Sequence, residues 1–243
     1  MSILYSALGV LRDVASLFLP RTCIACGDAL RDNERGICLV CRYNAPLTDY
    51  ATQAENPIKL VFENLFSVEQ ATAMFWFELG SDWRTIVYNF KYHNRWLFAV
   101  QMGEWFGEEL KMGGLYDDVD VILPVPLHYR RRMKRGYNQS ELLAVGMARR
   151  MGVGYDFRSL KRVRCNESQT NKSRTERWAN VDDLFEVRGA ERLRGRHILL
   201  VDDVLTTGAT ISACAEAIIR ACEGDVRISV ATLAASTRWR PGV

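Results

Sequence analysis

The chain contains 243 residues, of which 48% are hydrophobic and 25% are charged, and its formal net charge is +3. These values exclude a disordered chain and are typical of a soluble globular protein, and the small net charge does not by itself indicate nucleic-acid binding. The length accommodates one large domain, or one ordinary domain with a smaller one.

The first twenty residues predict an amphipathic packing helix that ends near Pro20. Apolar residues recur at helical spacing from Ile3 to Phe18, and Arg12 and Asp13 lie on the other side. Because the segment lacks a basic beginning and charges interrupt its apolar run, it does not resemble a signal peptide. No stretch elsewhere is long and apolar enough to span a bilayer, so we expect a cytoplasmic protein without a membrane span.

Two Cys-x2-Cys pairs, separated by eleven intervening residues, follow this helix. Two such pairs can place four thiolates tetrahedrally around one zinc ion, and a complete set of four leaves no open position for a substrate. We therefore predict a structural zinc site, held by Cys23, Cys26, Cys38 and Cys41. Four free buried cysteines or a redox pair are the alternatives, and the spacing favours zinc and a reducing compartment. Whether the module also contacts a partner stays open.

The polar stretch from Pro46 to Pro57 suggests a boundary, after which residues 71–79 read as a strand. Ser81 or Asp82 is a reasonable start for a helix. Aromatic residues at helical spacing, among them Trp96 and Trp105, are expected to pack in the core rather than to stack on nucleic-acid bases. The predicted organisation is an N-terminal helix with a zinc finger (1–50), an α+β linker or hood (51–116) and a C-terminal domain (117–243).

A buried-strand pattern at Val119–Val125 is followed by five basic residues within the six positions 130–135. Tyr137-Asn138-Gln139 then opens a helix that we expect to reach about Met151. So many cations in one turn suit either a pyrophosphate group or the backbone of a nucleic acid, and the two need not exclude each other.

A strand-like segment at 160–164 precedes a long polar stretch from Cys165 to Asp183. Long irregular stretches inside compact domains are usually functional lids or disordered segments. Lys172 and Arg177 could pair with phosphate oxygens if this one closes over a ligand. A merely mobile loop is the alternative.

The segment His197–Thr210 carries the strongest functional signal. Ile198–Val201 suits a strand buried on both faces, and the adjacent carboxylates Asp202 and Asp203 are expected where that strand ends. The residues Thr206, Thr207, Gly208, Ala209 and Thr210 lead into a helical pattern from Ile211 to Cys222. Small residues and free N–H groups at a helix start bind phosphate, and nearby carboxylates can hold ribose hydroxyls or hydrated magnesium. An Asp-Asp pair after a strand also occurs in response-regulator-like folds, but these lack the threonine-rich loop. A closing strand is expected at 226–234.

This stretch resembles the phosphoribosyl pyrophosphate (PRPP) signature of the type I phosphoribosyltransferases. The resemblance implies an α/β fold with a mainly parallel sheet, flanking helices and a flexible loop, which 165–183 would form. It also implies that Asp202 and Asp203 contact the ribose hydroxyls, with magnesium, and that Thr206 to Thr210 wrap the 5′-phosphate. Candidates for the pyrophosphate are Leu127, His128, Arg130 and Arg177.

Several ordered motifs together resemble the ComF family over nearly the full length of the chain. They are the two cysteine pairs, Pro-Val-Pro-Leu-His, Arg-Gly-Tyr-Asn-Gln, the stretch from Gln169 to Asn180 and the aspartate-threonine motif. That family is associated with natural transformation and the handling of incoming single-stranded DNA. The resemblance implies PRPP as a ligand, and single-stranded DNA and a competence helicase or another DNA-processing protein as candidate partners. No glutaminase domain is recognisable.

Two functions of different classes follow. One is an enzyme that displaces pyrophosphate from PRPP with magnesium; the sequence identifies neither a catalytic base nor the acceptor. The other is a non-catalytic single-stranded-DNA-binding or regulatory module that uses the PRPP site as a sensor. A zinc-stapled scaffold with a vestigial site is a weaker third alternative.

Overall fold

A computed structural model describes residues 21–77, 83, 86, 96–163 and 184–242. Within these ranges the strands are β1 (Ala71–Phe77), β2 (Val121–Pro124), β3 (Gly154–Tyr155), β4 (Leu160–Arg162), β5 (Phe185–Val187), β6 (His197–Leu205) and β7 (Arg227–Ser236). Of the strands in the described residues, five form a parallel central sheet in the order β1-β7-β6-β2-β3. The antiparallel pair of β4 and β5 forms a separate ribbon. Among the described residues, no helix is long and apolar enough to cross a membrane.

Crossover helices cover both faces of a parallel sheet, so its central strands are buried and apolar on both sides. Alternate residues of β6 point to opposite sides, so Ile198 and Leu200 join one apolar cluster while Leu199 and Val201 join the other. The sheet therefore separates two cores. The helices are α1 (Leu39–Tyr43), α2 (Pro57–Glu63), α3 (Trp96–Gly113), α4 (Tyr129–Arg135), α5 (Gln139–Met151) and α6 (Ala209–Ala221).

Helices α3 and α5 cover one face and pack closely against each other. A Cβ atom on Gly103 would collide with the carbonyl oxygen of Leu143, and one on Gly146 with that of Val100. The absence of side chains at these two positions lets the helix backbones approach. The four-cysteine region joins the same core through Cys23, Ile24, Ile37 and Cys38.

Helices α2 and α6 contribute to the opposite core. Asn56 sets the start of α2, because its Oδ1 accepts hydrogen bonds from the backbone N–H groups of Ile58 and Lys59. Its Nδ2 also donates to the carbonyl oxygen of Ala71 at the start of β1, 2.9 Å away. One buried asparagine thus fixes α2 relative to the edge of the sheet.

The structure tests part of the predictions for the 51–116 region. β1 covers residues 71–77 of the strand predicted at 71–79, and residues 78 and 79 lie outside the described residues. β1 pairs with β7, so the 51–116 region contributes an edge strand to the central sheet. Trp96, expected in the core, is 57% exposed at the first position of α3, whereas Trp105 is buried. The N-terminal helix, the turn at Ser81 and the loop 165–183 lie outside the described residues.

Candidate phosphate-binding and metal sites

The two adjacent aspartates lie within β6 rather than after it. The expectation that the strand ends at Val201 was wrong, because β6 continues to Leu205 and pairs Asp202 with Thr232 of β7. Both carboxylates are half-buried. They occupy the carboxyl half of a central parallel strand, which is the part of an open α/β sheet that faces ligands.

Asp202 is held in place by a residue 62 positions earlier in the chain. The hydroxyl of the buried Ser140 donates to Asp202 Oδ1 at 3.0 Å, and the backbone N–H of Asp203 donates to the same oxygen at 2.8 Å. Ser140 lies in the first turn of α5, whose N-cap is Asn138. Asn138 in turn donates through Nδ2 to the carbonyl oxygen of Val125, 3.0 Å away. Sequence reasoning assigned no role to Asn138 or Ser140, although the Tyr-Asn-Gln motif marked this helix start.

The threonine-rich loop connects β6 to α6. Gly208, the N-cap residue of α6, has a left-handed backbone (φ 81°) and makes no side-chain cap. The backbone N–H of Ala209 donates to Thr207 Oγ1 at 3.5 Å. Thr206, Thr207 and Thr210 are exposed around this helix start. A small concavity of about 30 Å³ is lined by Asp202 and residues 204–211, a set that contains all the predicted residues of the motif except Asp203.

The loop is supported from outside the motif. Trp239 Nε1 donates to the carbonyl oxygen of Thr206 at 2.9 Å. Trp239 belongs to a short 3₁₀ helix, Thr237–Trp239, which directly follows β7. Tryptophan with a polar neighbour is a weak signal by itself, and only the fold brings it to the loop.

The predicted pyrophosphate segment begins beside the aspartates. β2 pairs in parallel with β6, and the backbone N–H of Val125 donates to the carbonyl oxygen of Val201 at 2.8 Å. The next residues therefore leave the sheet at the same edge as Asp202. Leu127 is half-buried, and Arg177 lies outside the described residues.

The basic segment is a helix rather than a turn. His128 is its N-cap, because its Nδ1 accepts a hydrogen bond from the backbone N–H of Arg130 at 3.4 Å, and Gly136 in a left-handed conformation ends it. His128 is 5% exposed, so its ring serves the helix start more than it faces solvent. Arg130 is exposed, with its Nε 3.1 Å from the hydroxyl of Tyr129.

Some cations of this helix have partners on α5. Arg132 forms an ion pair with Glu141 at 3.2 Å, and Arg135 donates to Gln139 Oε1 at 3.0 Å. These contacts join α4 to the helix that carries Ser140. The basic helix is thus attached to the same support as Asp202.

The four predicted zinc ligands converge. The sulfur atoms of Cys23, Cys26, Cys38 and Cys41 all lie within 4.8 Å of one another, and Cys26 and Cys38 are 3.9 Å apart. Four sulfurs at about 2.3 Å from a tetrahedral zinc would be about 3.8 Å apart, so the cluster fits a metal of this size after a small contraction. The cluster could therefore bind a metal such as zinc.

Backbone N–H groups point at these sulfurs, as they do in metal knuckles. The N–H of Cys38 donates to Cys23 Sγ and that of Cys41 to Cys38 Sγ, both at 3.4 Å. Burial raises the pKa of Cys23, but hydrogen bonds from backbone N–H groups outweigh it and lower the pKa to about 7. Burial and neighbouring thiols raise the pKa of Cys41, and a bound cation would reverse that shift.

Comparison with known proteins agrees with this geometry. Residues 138–241 match the family described as phosphoribosyl transferase domain. DNA utilization protein YhgH of Salmonella typhi is 35% identical over 109 residues, 45% of this chain and 47% of that protein. Competence protein ComFC of Bacillus subtilis is 34% identical over 99 residues, 41% of this chain and 38% of that protein. The alignments thus span less than half of each relative.

Among solved structures, a glutamine PRPP amidotransferase from B. subtilis covers 60% of this chain and 30% of its own, with 18% identity and a TM-score of 0.43. The family match, together with the all-parallel sheet and its flanking helices, gives a type I phosphoribosyltransferase fold.

Proposed function

We propose that this chain is a ComF-family protein and that it binds PRPP at the carboxyl end of β6. The phosphoribosyl transferase domain and the relatives among competence and DNA-utilization proteins support this assignment. The observation that carries the proposal is the exposed threonine loop at the start of α6, directly beyond Asp202 and Asp203. The names of the relatives, DNA utilization protein and competence protein, support a proposed role in DNA uptake.

Each part of the ligand has a counterpart in this region. The 5′-phosphate would bind the backbone N–H groups and hydroxyls of residues 206–210, where the α6 dipole also favours an anion. The ribose hydroxyls would bind Asp202 and Asp203, and the pyrophosphate would lie towards Leu127, His128 and Arg130, with Arg177 as a further candidate. Because the His128 side chain is buried and caps α4, the backbone of this residue is better placed than its ring to contact the pyrophosphate.

If the protein is catalytic, the reaction is displacement of pyrophosphate from the ribose. Magnesium, when bound with PRPP, would stabilise the negative charge that develops on the leaving oxygens. The two carboxylates fit such a hydrated cation, since carboxylate oxygens are its usual protein ligands. The protein's own contribution is positional: Ser140 fixes the orientation of Asp202, and the cations of α4 add positive charge beside the leaving group.

The four cysteines would hold a structural zinc ion. Cys23 and Cys38 are buried against the core under α3, so metal binding would stabilise this part of the fold. A complete set of four sulfur ligands leaves the ion no catalytic position.

A second candidate function is a non-catalytic module that binds single-stranded DNA or regulates a competence helicase or other DNA-processing protein in the cytoplasm. The exposed Arg130 and Arg132 on α4 favour it, because a row of exposed cations is the usual contact for phosphodiester backbones. The PRPP site would then act as a ligand sensor.

The test is a calorimetric titration of PRPP with magnesium into the zinc-loaded protein and into the variant Asp202→Asn/Asp203→Asn. We expect binding by the wild type and loss of at least about tenfold in affinity in the variant, since two charged contacts to the ribose and cation are removed. The matched control is Asp117→Asn/Asp225→Asn, which removes the same charge from exposed positions before β2 and β7.

Equal affinity in all three proteins would remove Asp202 and Asp203 from the site. If the wild type binds PRPP, release of pyrophosphate in the presence of candidate acceptors distinguishes an enzyme from a sensor. Steeply salt-dependent binding of a single strand, lost when Arg130 and Arg132 are neutralised, would favour the second function.

A further inference from the structure

A basic concavity shares no lining residue with the concavity at the threonine loop. Its volume is about 290 Å³. It is lined by Arg158, Ser159, Lys161, Arg188, Gly189 and Arg192. Four of these six residues are cations and none is a carboxylate. This arrangement is not a sequence motif, because residues 162–187 separate the two contributing segments.

The backbone fixes the shape of this hollow. The N–H of Arg188 donates to the carbonyl oxygen of Ser159 at 2.8 Å and so joins the two segments. Asp156 holds the turn before β4, since its carboxylate accepts hydrogen bonds from the N–H groups of Arg158 and Ser159 and from the Ser159 hydroxyl. Burial raises the pKa of Asp156, but these donors outweigh it and keep its pKa below the usual value. The turn therefore stays ordered around an ionised carboxylate that is satisfied internally.

The cations are neutralised in part. Lys161 Nζ donates to the carbonyl oxygen of Phe157 at 2.9 Å, which uses one of its three hydrogens and anchors the ammonium group. Within the described part of the chain, Arg158 and Lys161 have no carboxylate at ion-pair distance. Arg188 donates from Nε and Nη2 to the two carboxylate oxygens of Glu186, both at 3.2 Å. Arg192 lies 3.9 Å from Glu191 in an exposed pair, which contributes little, and it also attracts the carboxylate of Asp156.

We propose that this hollow binds a condensed phosphate, the di- or triphosphate group of a small ligand. The guanidinium groups of Arg158 and Arg192 can each bind two phosphate oxygens, and the lysine adds a point charge. Arg188 already donates from two nitrogens to Glu186 and contributes mainly its charge. The formal charge of a di- or triphosphate is of the same order as that of four cations, whereas a single phosphate would contact only part of the lining. A hollow of this volume lies near the lower end for small-molecule pockets. It therefore accommodates a compact polyanion.

A nucleic-acid strand is the competing occupant. Tyr155 is 49% exposed and stacks on Phe157 with ring centroids 4.6 Å apart, and exposed aromatic rings beside cations can stack bases. The cations, however, line one hollow formed by two short segments rather than a track along the surface. The geometry thus favours the small condensed phosphate.

The experiment is a magnesium-free calorimetric titration of inorganic tripolyphosphate into the zinc-loaded full chain. We expect the variant Arg158→Gln/Arg192→Gln to bind about tenfold or more weakly, because each charge-assisted fork contributes substantially. Lys161→Gln, which leaves both arginines intact, should weaken binding less. Parallel titrations with ATP separate the two sources of the ligand, since tighter binding of ATP indicates a nucleotide and equal binding indicates inorganic polyphosphate.

A matched variant separates this site from the rest of the surface. Arg149→Gln/Arg194→Gln removes the same charge from other exposed positions and should bind tripolyphosphate as the wild type does. Absence of binding to the wild type, or an equal loss in the Arg149/Arg194 control, would overturn the proposal. It would also be overturned if a thymidine oligonucleotide binds through Arg158 and Arg192 while tripolyphosphate does not.

Discussion

The loop at the start of α6 can be tested at Gly208, whose replacement by alanine perturbs both its backbone and its packing. Its φ of 81° lies in the left-handed region, where a side chain costs about 1–2 kcal/mol. The added Cβ would also lie 3.2 Å from Phe62 Cε1 and 3.2 Å from Val61 Cγ1. Crowding of this kind costs about 1 kcal/mol where the neighbours can shift slightly. The sum is about 2–3 kcal/mol.

Gly224 provides the control that isolates the second contribution. Its φ is 80°, and a Cβ there would meet nothing within 4 Å. Gly224→Ala should therefore lose only the backbone cost, about 1–2 kcal/mol. Urea unfolding of both variants and the wild type, with the slopes compared, measures the difference directly.

Binding gives an independent readout of the same substitution. Contact of the added Cβ with Phe62 and Val61 of α2 should displace the loop of residues 206–210. Gly208→Ala should therefore bind PRPP with magnesium more weakly than the wild type, whereas Gly224→Ala should bind it as the wild type does. If the two variants lose equal stability and bind PRPP equally, then the packing of Gly208 against Phe62 and Val61 does not shape the loop, and the reasoning is refuted.

Three further predictions concern Ser140, the four-cysteine cluster and the contacts of Asp118 with His197 and Arg227. Ser140→Ala removes one donor from half-buried Asp202 and should cost about 1–3 kcal/mol in urea unfolding while weakening PRPP binding; unchanged binding would make Ser140 purely structural. Cys38→Ser, or a strong chelator, should release about one equivalent of zinc and lower the melting temperature, and a protein that contains no metal by elemental analysis would contradict the zinc assignment. Burial raises the pKa of Asp118, but Arg227, 2.6 Å away, and His197 outweigh this effect and lower the pKa. The stability that Asp118 contributes is therefore present above its pKa in the unfolded chain, and it is lost as the pH falls through its pKa in the folded protein. The urea midpoints of wild type and Asp118→Asn should therefore converge below about pH 4, and a constant difference down to acid pH would count against it.

Local patterns predicted the elements that carry the phosphate site. The apolar run before Asp202, the threonine loop and the helix after it were recognisable because strand, loop and helix signals occur there in immediate succession. The family match over 138–241 and the parallel sheet confirm the fold class that this motif implied. The site roles of the individual residues stay predictions.

The remaining features depend on long-range contacts that a linear pattern does not encode. Ser140 meets Asp202 because Asn138 attaches the start of α5 to Val125, just after β2, and β2 pairs with β6. The sequence predicted a basic turn at 130–135 between a strand and a helix, whereas a short helix lies there, with His128 and Gly136 at its two ends. An N-cap histidine is a weak sequence signal beside the usual Ser, Thr, Asp and Asn.

The 51–116 region contributes to the phosphate loop as well as to the sheet. Asn56 joins the start of α2 to β1, and α2 then places Phe62 in the core against the loop glycine, Gly208. β1 in turn pairs with β7, the neighbour of β6. Helix α2 therefore fills the core and also limits the space around Gly208 in the loop. In this way a segment predicted as a linker helps to shape the backbone on which the 5′-phosphate is proposed to bind.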